Sequence, residues 1–97
     1  MTVSFDSYVV DVLMRDLVGH DRRPVCFFVY LWLSVEQRRR DRDVQISYKE
    51  LAENLGVSKS SVQAAVSWLV RRKLLSASKQ NRTAVPRYAV HTPWRRK

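Results

Sequence analysis

The run from Ser58 to Arg71, SKSSVQAAVSWLVR, sets hydrogen-bonding and cationic side chains at Ser58, Lys59, Ser60, Ser61, Gln63, Ser67 and Arg71 with no acid among them. Wound as a helix, the run turns Val62, Ala65, Val66 and Leu69 to one side and Lys59, Ser60, Gln63, Ala64, Ser67 and Arg71 to the other. The outward side chains near the start are short, so the backbone itself can approach a partner. Lys, Gln and Ser read base edges by hydrogen bonding, and a helix N-terminus offers unpaired N–H groups and a positive dipole end to phosphate. The chemistry on offer is recognition of a polyanion.

Bond-making chemistry lacks its parts. His20 and His91 stand far apart in sequence with no local thiol or carboxylate partner, so neither a metal site nor a general base is expected. Two glycines in the whole chain cannot build a phosphate-cradling loop. The one cysteine, Cys26, lies inside the apolar run VCFFVYLWL and reads as an inert buried thiol in a reducing compartment. No catalytic residue, cofactor or metal is expected.

Charge points the same way. The net charge is +9, and the two halves differ sharply. Met1 to Ile46 holds seven Arg against seven Asp or Glu, whereas Ser47 to Lys97 holds eleven Lys or Arg against Glu50 and Glu53 alone. A solvated surface normally mixes both signs, because a one-sign field repels itself. The second half is built to meet a polyanion.

The elements that must hold this surface follow from periodicity. Phe5, Val9, Leu13 and Leu17 recur at intervals of four, which predicts a helix with one buried stripe, started by Ser4 or Asp6 and ended by Gly19. Pro24 opens a second helix, to about Arg39, that is apolar on nearly every side. Such a helix is either the central core element or waits in part for a second subunit. EQRRRDRD reads as a frayed helix end and solvated linker, and Val44 to Ile46 as a very short strand. SYKE, Ser47 to Glu50, is a capping box that starts a short helix, with Leu51, Ala52 and Leu55 inward. Gly56 supplies the positive φ of a sharp turn, Val57 plugs it, and Ser58 caps the next helix, so that two short helices share an apolar corner. LLSAS and AVPRYAVHT then read as a hairpin with Lys79, Gln80, Asn81, Arg82 and Thr83 at its tip and Pro86 at its edge. Trp68 is read as a packing residue, and Tyr48 and Tyr88 as packing residues with wet hydroxyls.

Leu51 to Ser76, LAENLGVSKSSVQAAVSWLVRRKLLS, resembles the winged helix-turn-helix domains of bacterial DNA-binding proteins. Leu51, Ala52, Leu55, Gly56, Val57, Ser58, Val62, Leu69, Leu74 and Leu75 carry the likeness to the segment found in GntR-type and MarR-type regulators and in phage and plasmid replication proteins. Lys73 stands where that family usually has glycine before the wing. The resemblance implies a mainly α fold with a small β-hairpin wing; the two N-terminal helices read from periodicity precede the winged helix-turn-helix and are a departure from the family. It implies a recognition helix over 58–72 in the major groove and a wing tip over 79–83 on the backbone or minor groove. The expected DNA-binding set is Ser58, Lys59, Ser60, Ser61, Gln63, Ser67, Arg71, Lys79, Asn81 and Arg82.

One domain is expected over 1–97, with N-terminal helices over 1–43, the helix-turn-helix and wing over 44–91, and a basic tail over 92–97 that is either flexible or a further backbone contact. The expected partner is double-stranded DNA, bound sequence-specifically by a small cytoplasmic transcriptional regulator. DNA binding in plasmid or phage replication, partition or transfer is the alternative, as is a winged helix that binds protein or RNA. No membrane segment and no small-molecule effector are expected. A homodimer joined through the N-terminal half is expected to match a palindromic site, with Tyr8, Val10, Val12, Met14 and the Val25 to Leu33 run supplying apolar surface.

Overall fold

The computed structural model describes residues 2–81 and 84–95. It is mainly helical, with a small three-stranded antiparallel sheet. An N-terminal helical segment, Val9–Leu13 and Arg15–His20, leads to α1, Pro24–Arg40; then come β1, Val44–Gln45; α2, Tyr48–Leu55; α3, Lys59–Arg71; β2, Leu75–Ser78; and β3, Arg87–Val90. The sheet order is β1-β3-β2.

The N-terminal segment buries Val9, Leu13 and Leu17 as the spacing predicts, but it is wound as a π-helix. Met14 N–H donates to Val9 O, and Asp21 N–H to Asp16 O at 2.7 Å, each spanning five residues. An interval of four overshoots a 3.6-residue turn by about 40° each time and falls short of the wider π turn by a similar angle, so the stripe is compatible with either winding. Two expected boundaries fail. Gly19 does not end the helix; the chain runs on to His20, and Arg22 takes the left-handed conformation with φ 55°. No side chain caps the start, because the Asp6 carboxylate is held by Trp94 Nε1 at 3.0 Å and Arg95 Nε at 2.6 Å.

α1 is the hub. Cys26, Val29 and Leu33 are buried, with Cys26 Sγ reaching Ala65 O of α3 at 3.8 Å, and Tyr30 is buried beside the N-terminal segment. Glu36, Arg39 and Trp32 border the end of α2. The sides of α1 that carry Cys26 and Tyr30 are thus covered. The side carrying Phe28, Leu31, Trp32 and Val35 lines an open hollow, which it shares with Glu36, Arg39 and the end of α2. The helix continues to Arg40, one residue beyond the expected end, and closes on Asp41 with φ 53°, a residue whose short side chain tolerates that conformation.

Ser47 caps α2 by accepting from Glu50 N–H at 3.1 Å, and the return bond joins the two side chains, Ser47 Oγ donating to Glu50 Oε1 at 3.4 Å, rather than reaching the Ser47 amide. Gly56 turns with φ 73°, and Gly56 and Val57 N–H both bond Ala52 O, at 2.9 and 3.1 Å. Ser58 caps α3 by accepting from Ser61 N–H at 3.1 Å. Leu51, Ala52, Val62, Ala65, Val66 and Leu69 are buried, and Leu55 half-buried, so the two helices share their apolar corner as expected.

The expected two-stranded hairpin gains a third strand. β3 pairs β2 (Leu75↔Val90, Ala77↔Tyr88) and also β1 (Val44↔Tyr88), which makes it the central strand. Pro86 therefore sits just before a central strand instead of at a free edge, where its missing N–H costs no ladder bond. Beyond β1, Gln37 of α1 takes over the edge: its Oε1 accepts from Val90 N–H at 2.7 Å and its Nε2 donates to Val90 O at 3.4 Å. Tyr88, flanked by Val44 and Ala77, is fully buried. Its hydroxyl is not wet; it has no hydrogen-bond partner among the described residues, and burial, with the Tyr48 phenol nearby, pushes its pKa up.

Candidate nucleic-acid interface

The buried stripe of α3 fixes what the helix shows to solvent. Lys59, Ser60, Gln63, Ala64, Ser67 and Arg71 are all exposed on the side away from α1, as the helical period requires. At the N-terminus three hydroxyls are joined: Ser58 Oγ lies 3.2 Å from Ser60 Oγ and donates to Ser61 Oγ at 2.8 Å. Ser58 and Ser60 are exposed and Ser61 is half-buried, so Ser61 sits at the edge of the face rather than on it. From Ser58 through Arg71 no carboxylate interrupts the row.

The far end of α3 is set by an internal clamp. Trp68 is half-buried and donates from Nε1 to Asp21 Oδ2 at 2.9 Å, with the Arg23 guanidinium stacked 4.2 Å from its ring centroid. That is a packing role. Burial disfavours the Asp21 charge, but bonds from His20 and Trp68 and the charge of Arg72 outweigh it and hold its carboxyl below the usual range. Arg72 is used here, 3.5 Å from Asp16 and 3.8 Å from Asp21, whereas Arg71 stays exposed with its guanidinium 5.7 Å from the Trp68 ring. Arg72 is thus committed to ion pairs with Asp16 and Asp21, and Arg71 remains on the open surface.

Lys73 solves the exit that glycine would have supplied. It adopts φ 62° itself; its N–H bonds Val70 O at 3.0 Å, and Leu74 N–H bonds Leu69 O at 3.0 Å. This is a Schellman closure with lysine in the left-handed position. It turns the chain directly into β2, which packs on α3.

The β2–β3 connection carries the second group of expected residues. Lys79 and Asn81 are exposed, with Lys79 Nζ 5.9 Å from the Tyr48 ring centroid; Arg82 lies outside the described residues. The expected set therefore divides into a row on α3 and a pair on this connection. Sequence reading missed a third group. Pairing of Gln45 with Arg87 brings Arg87 to the outer face of the sheet, where it lines one hollow with Arg40, Arg42 and Asp43 and another with Ser78 and Lys79. Arg42 belongs to the stretch taken as a linker. Only cross-strand register joins it to Arg87, and no local pattern encodes that register.

No helix of the described residues is long and apolar enough to cross a membrane, and no group of three or more His, Cys, Asp or Glu among them could hold a metal ion. Comparison with protein-family models, curated proteins and solved structures finds no match.

Proposed function

We propose that the protein binds double-stranded DNA as a winged helix-turn-helix module and acts as a small transcriptional regulator. In this reading α3 lies in the major groove, and the β2–β3 connection follows the phosphate backbone or the minor groove. The observation that carries it is the exposed, acid-free row of Lys59, Ser60, Gln63, Ser67 and Arg71 on a helix whose opposite side is wholly buried. A helix fits the major groove, and these side chains match base edges and phosphates. Ser58 and Ser60 keep the entry short, so that the first-turn N–H groups can approach a phosphate. Arg87, Arg42 and Lys79 add positive charge along the sheet, where backbone contacts position the protein without reading sequence.

Fluorescence anisotropy with a labelled duplex tests the reading. Binding should be strong at low salt and fall steeply as salt rises, because each neutralised phosphate releases counterions. With about five phosphate contacts the slope of log K against log salt is near −4 to −5. Binding that is absent at low salt, or flat against salt, contradicts the reading.

A further inference from the structure

Two apolar features are exposed on the N-terminal half of the chain. The first is the hollow lined by Phe28, Leu31, Trp32, Val35 and Leu55, in which Phe28 is 47% exposed. The second is a ridge on the N-terminal segment, Val10, Met14 and Val18, at 54%, 40% and 37% exposure. Tyr8 and Asp16 turn toward the far flank, Tyr8 stacked 4.6 Å from Trp94 and Asp16 near Arg72. Residues two further on emerge about half a turn round, on the flank that borders the open side. Tyr8, counted from sequence as pairing surface, is therefore taken by Trp94, and Val12 is half-buried; Val10 and Met14 remain.

We infer that a second copy of this chain covers the open side of α1, and that the pair turns its two α3 faces outward in opposite directions so as to hold two DNA duplexes at once. The occupant follows from shape and charge. A ridge beside a hollow on one surface is self-complementary under a two-fold axis, each ridge seating in the other copy's hollow. The half of the chain that carries both is charge-neutral, seven Arg against seven acids, and the Glu36 and Arg39 that line the hollow are already paired at 3.0 Å, so two copies meet without repulsion. α1 spans about 25 Å, and two helices side by side are about 20 Å wide. That footprint of roughly 500 Å² in projection is below the ~800 Å² per partner of a standard interface, so a pair of modest affinity is expected.

Direction then follows. Cys26 faces α3, and Leu33, seven residues on, lies on the same stripe of α1; Phe28 and Val35 lie two residues on from each, half a turn away. The open side of α1 and the exposed side of α3 are thus opposite ends of one line through the molecule. Pairing across the first points the second away from the partner, with the two α3 faces separated by two molecular thicknesses of at least 25 Å each. Two half-sites on one side of a single duplex need both recognition helices facing the same way, and this pair does not provide that. In the inferred pair, bridging of two duplexes replaces the single palindromic site expected from sequence. The bridging part rests on the DNA-binding reading; the pairing part does not.

Light scattering and a two-duplex capture assay test both parts. Wild-type protein at high micromolar concentration should show twice the 11.4 kDa of one chain. Phe28→Ser and Met14→Gln, which leave the charge unchanged and lie at exposed positions, should each raise the dimer dissociation constant at least about tenfold with unaltered circular dichroism. Beads carrying one duplex should retain a second, labelled duplex with wild-type protein and lose it with Phe28→Ser, although both proteins bind single duplexes in anisotropy. A wild type of single-chain mass overturns the second copy as occupant and leaves the surface to another partner. A dimer that binds one duplex and captures no second overturns the outward geometry. A dimer that is dissociated by Phe28→Ser yet binds no DNA at all strikes the DNA reading, and bridging with it, while the pairing stands.

Discussion

The indole N–H of Trp68 donates to the Asp21 carboxylate at 2.9 Å, and through this bond α3 is fastened to a turn 47 residues earlier in the chain. The Asp21 side chain is only 3% exposed and also faces Arg72. Asp21→Ala leaves the Trp68 indole and the His20 ring without their acceptor, takes one of its two carboxylates from Arg72, and should cost about 2 kcal/mol, the range for a buried bond to a charged group. Asp16→Ala, whose side chain is 43% exposed at 3.5 Å from the same arginine, should cost under about 0.5 kcal/mol. Urea denaturation of the two variants checks the contrast; equal midpoints would remove the clamp.

Asp6 makes a second clasp, between the two ends of the chain, and its carboxyl is lowered to about 2, first by the bond from Arg95 and then by that from Trp94. A depressed carboxyl stabilises the fold above its ordinary value of 3.8, and that contribution is lost as pH falls through the folded value. The clasp should therefore open between about pH 4 and pH 2. The indole N–H resonance of Trp94, followed by NMR, should titrate in that window and shift to its open position at neutral pH in Asp6→Asn. A Trp94 resonance indifferent to Asp6→Asn would contradict the docking of this tail.

Lys73 and Gly56 occupy left-handed conformations with φ 62° and 73°, one with a Cβ and one without. That region costs an L-residue roughly 1 kcal/mol or more, partly offset by the greater unfolded-state freedom of glycine. Lys73→Gly should stabilise by about 0.5 kcal/mol, and Gly56→Ala should destabilise by about 1 kcal/mol although nothing lies within 4 Å of the added methyl. Thermal melts of both variants check the opposite signs.

Local patterns carried most of the helical fold. Ser47 and Ser58 as caps, Gly56 as the turn, and the inward Val62, Ala65, Val66 and Leu69 are all encoded within a few residues of where they act, and all are found in place. What sequence did not yield depends on distant partners. Asp6 was free to cap its own helix until Trp94 and Arg95 claimed it, Tyr88 became enclosed only when β1 joined the sheet, and Arg87 met Arg42 only through strand register. The π winding of the first helix escaped notice because a stripe at intervals of four fits either winding. The α3 face was legible because one helix presents it; the sheet's basic surface was not, because three segments assemble it.

Gln63 and Lys79 should separate reading from holding. Gln63 is exposed mid-row on α3, whereas Lys79 lies at the end of β2 beside Tyr48. Gln63→Ala should cut discrimination between a selected site and random duplex by about 1–3 kcal/mol, with little change in non-specific affinity. Lys79→Ala should weaken all duplexes alike and lower the salt slope by about one. Competition anisotropy measures both, and an unchanged specificity ratio in Gln63→Ala would remove it from the base-reading set.

The most direct measurement of the central claim is an amide NMR titration of the protein with duplex DNA, which locates the contact surface residue by residue. The proposed interface predicts the largest shifts at Ser58, Lys59, Ser60, Gln63, Ser67 and Arg71, weaker ones at Lys79 and Arg87, and none around Phe28 and Trp32 beyond those of dimer formation. Shifts concentrated on the open side of α1, with the α3 face unmoved, would contradict it.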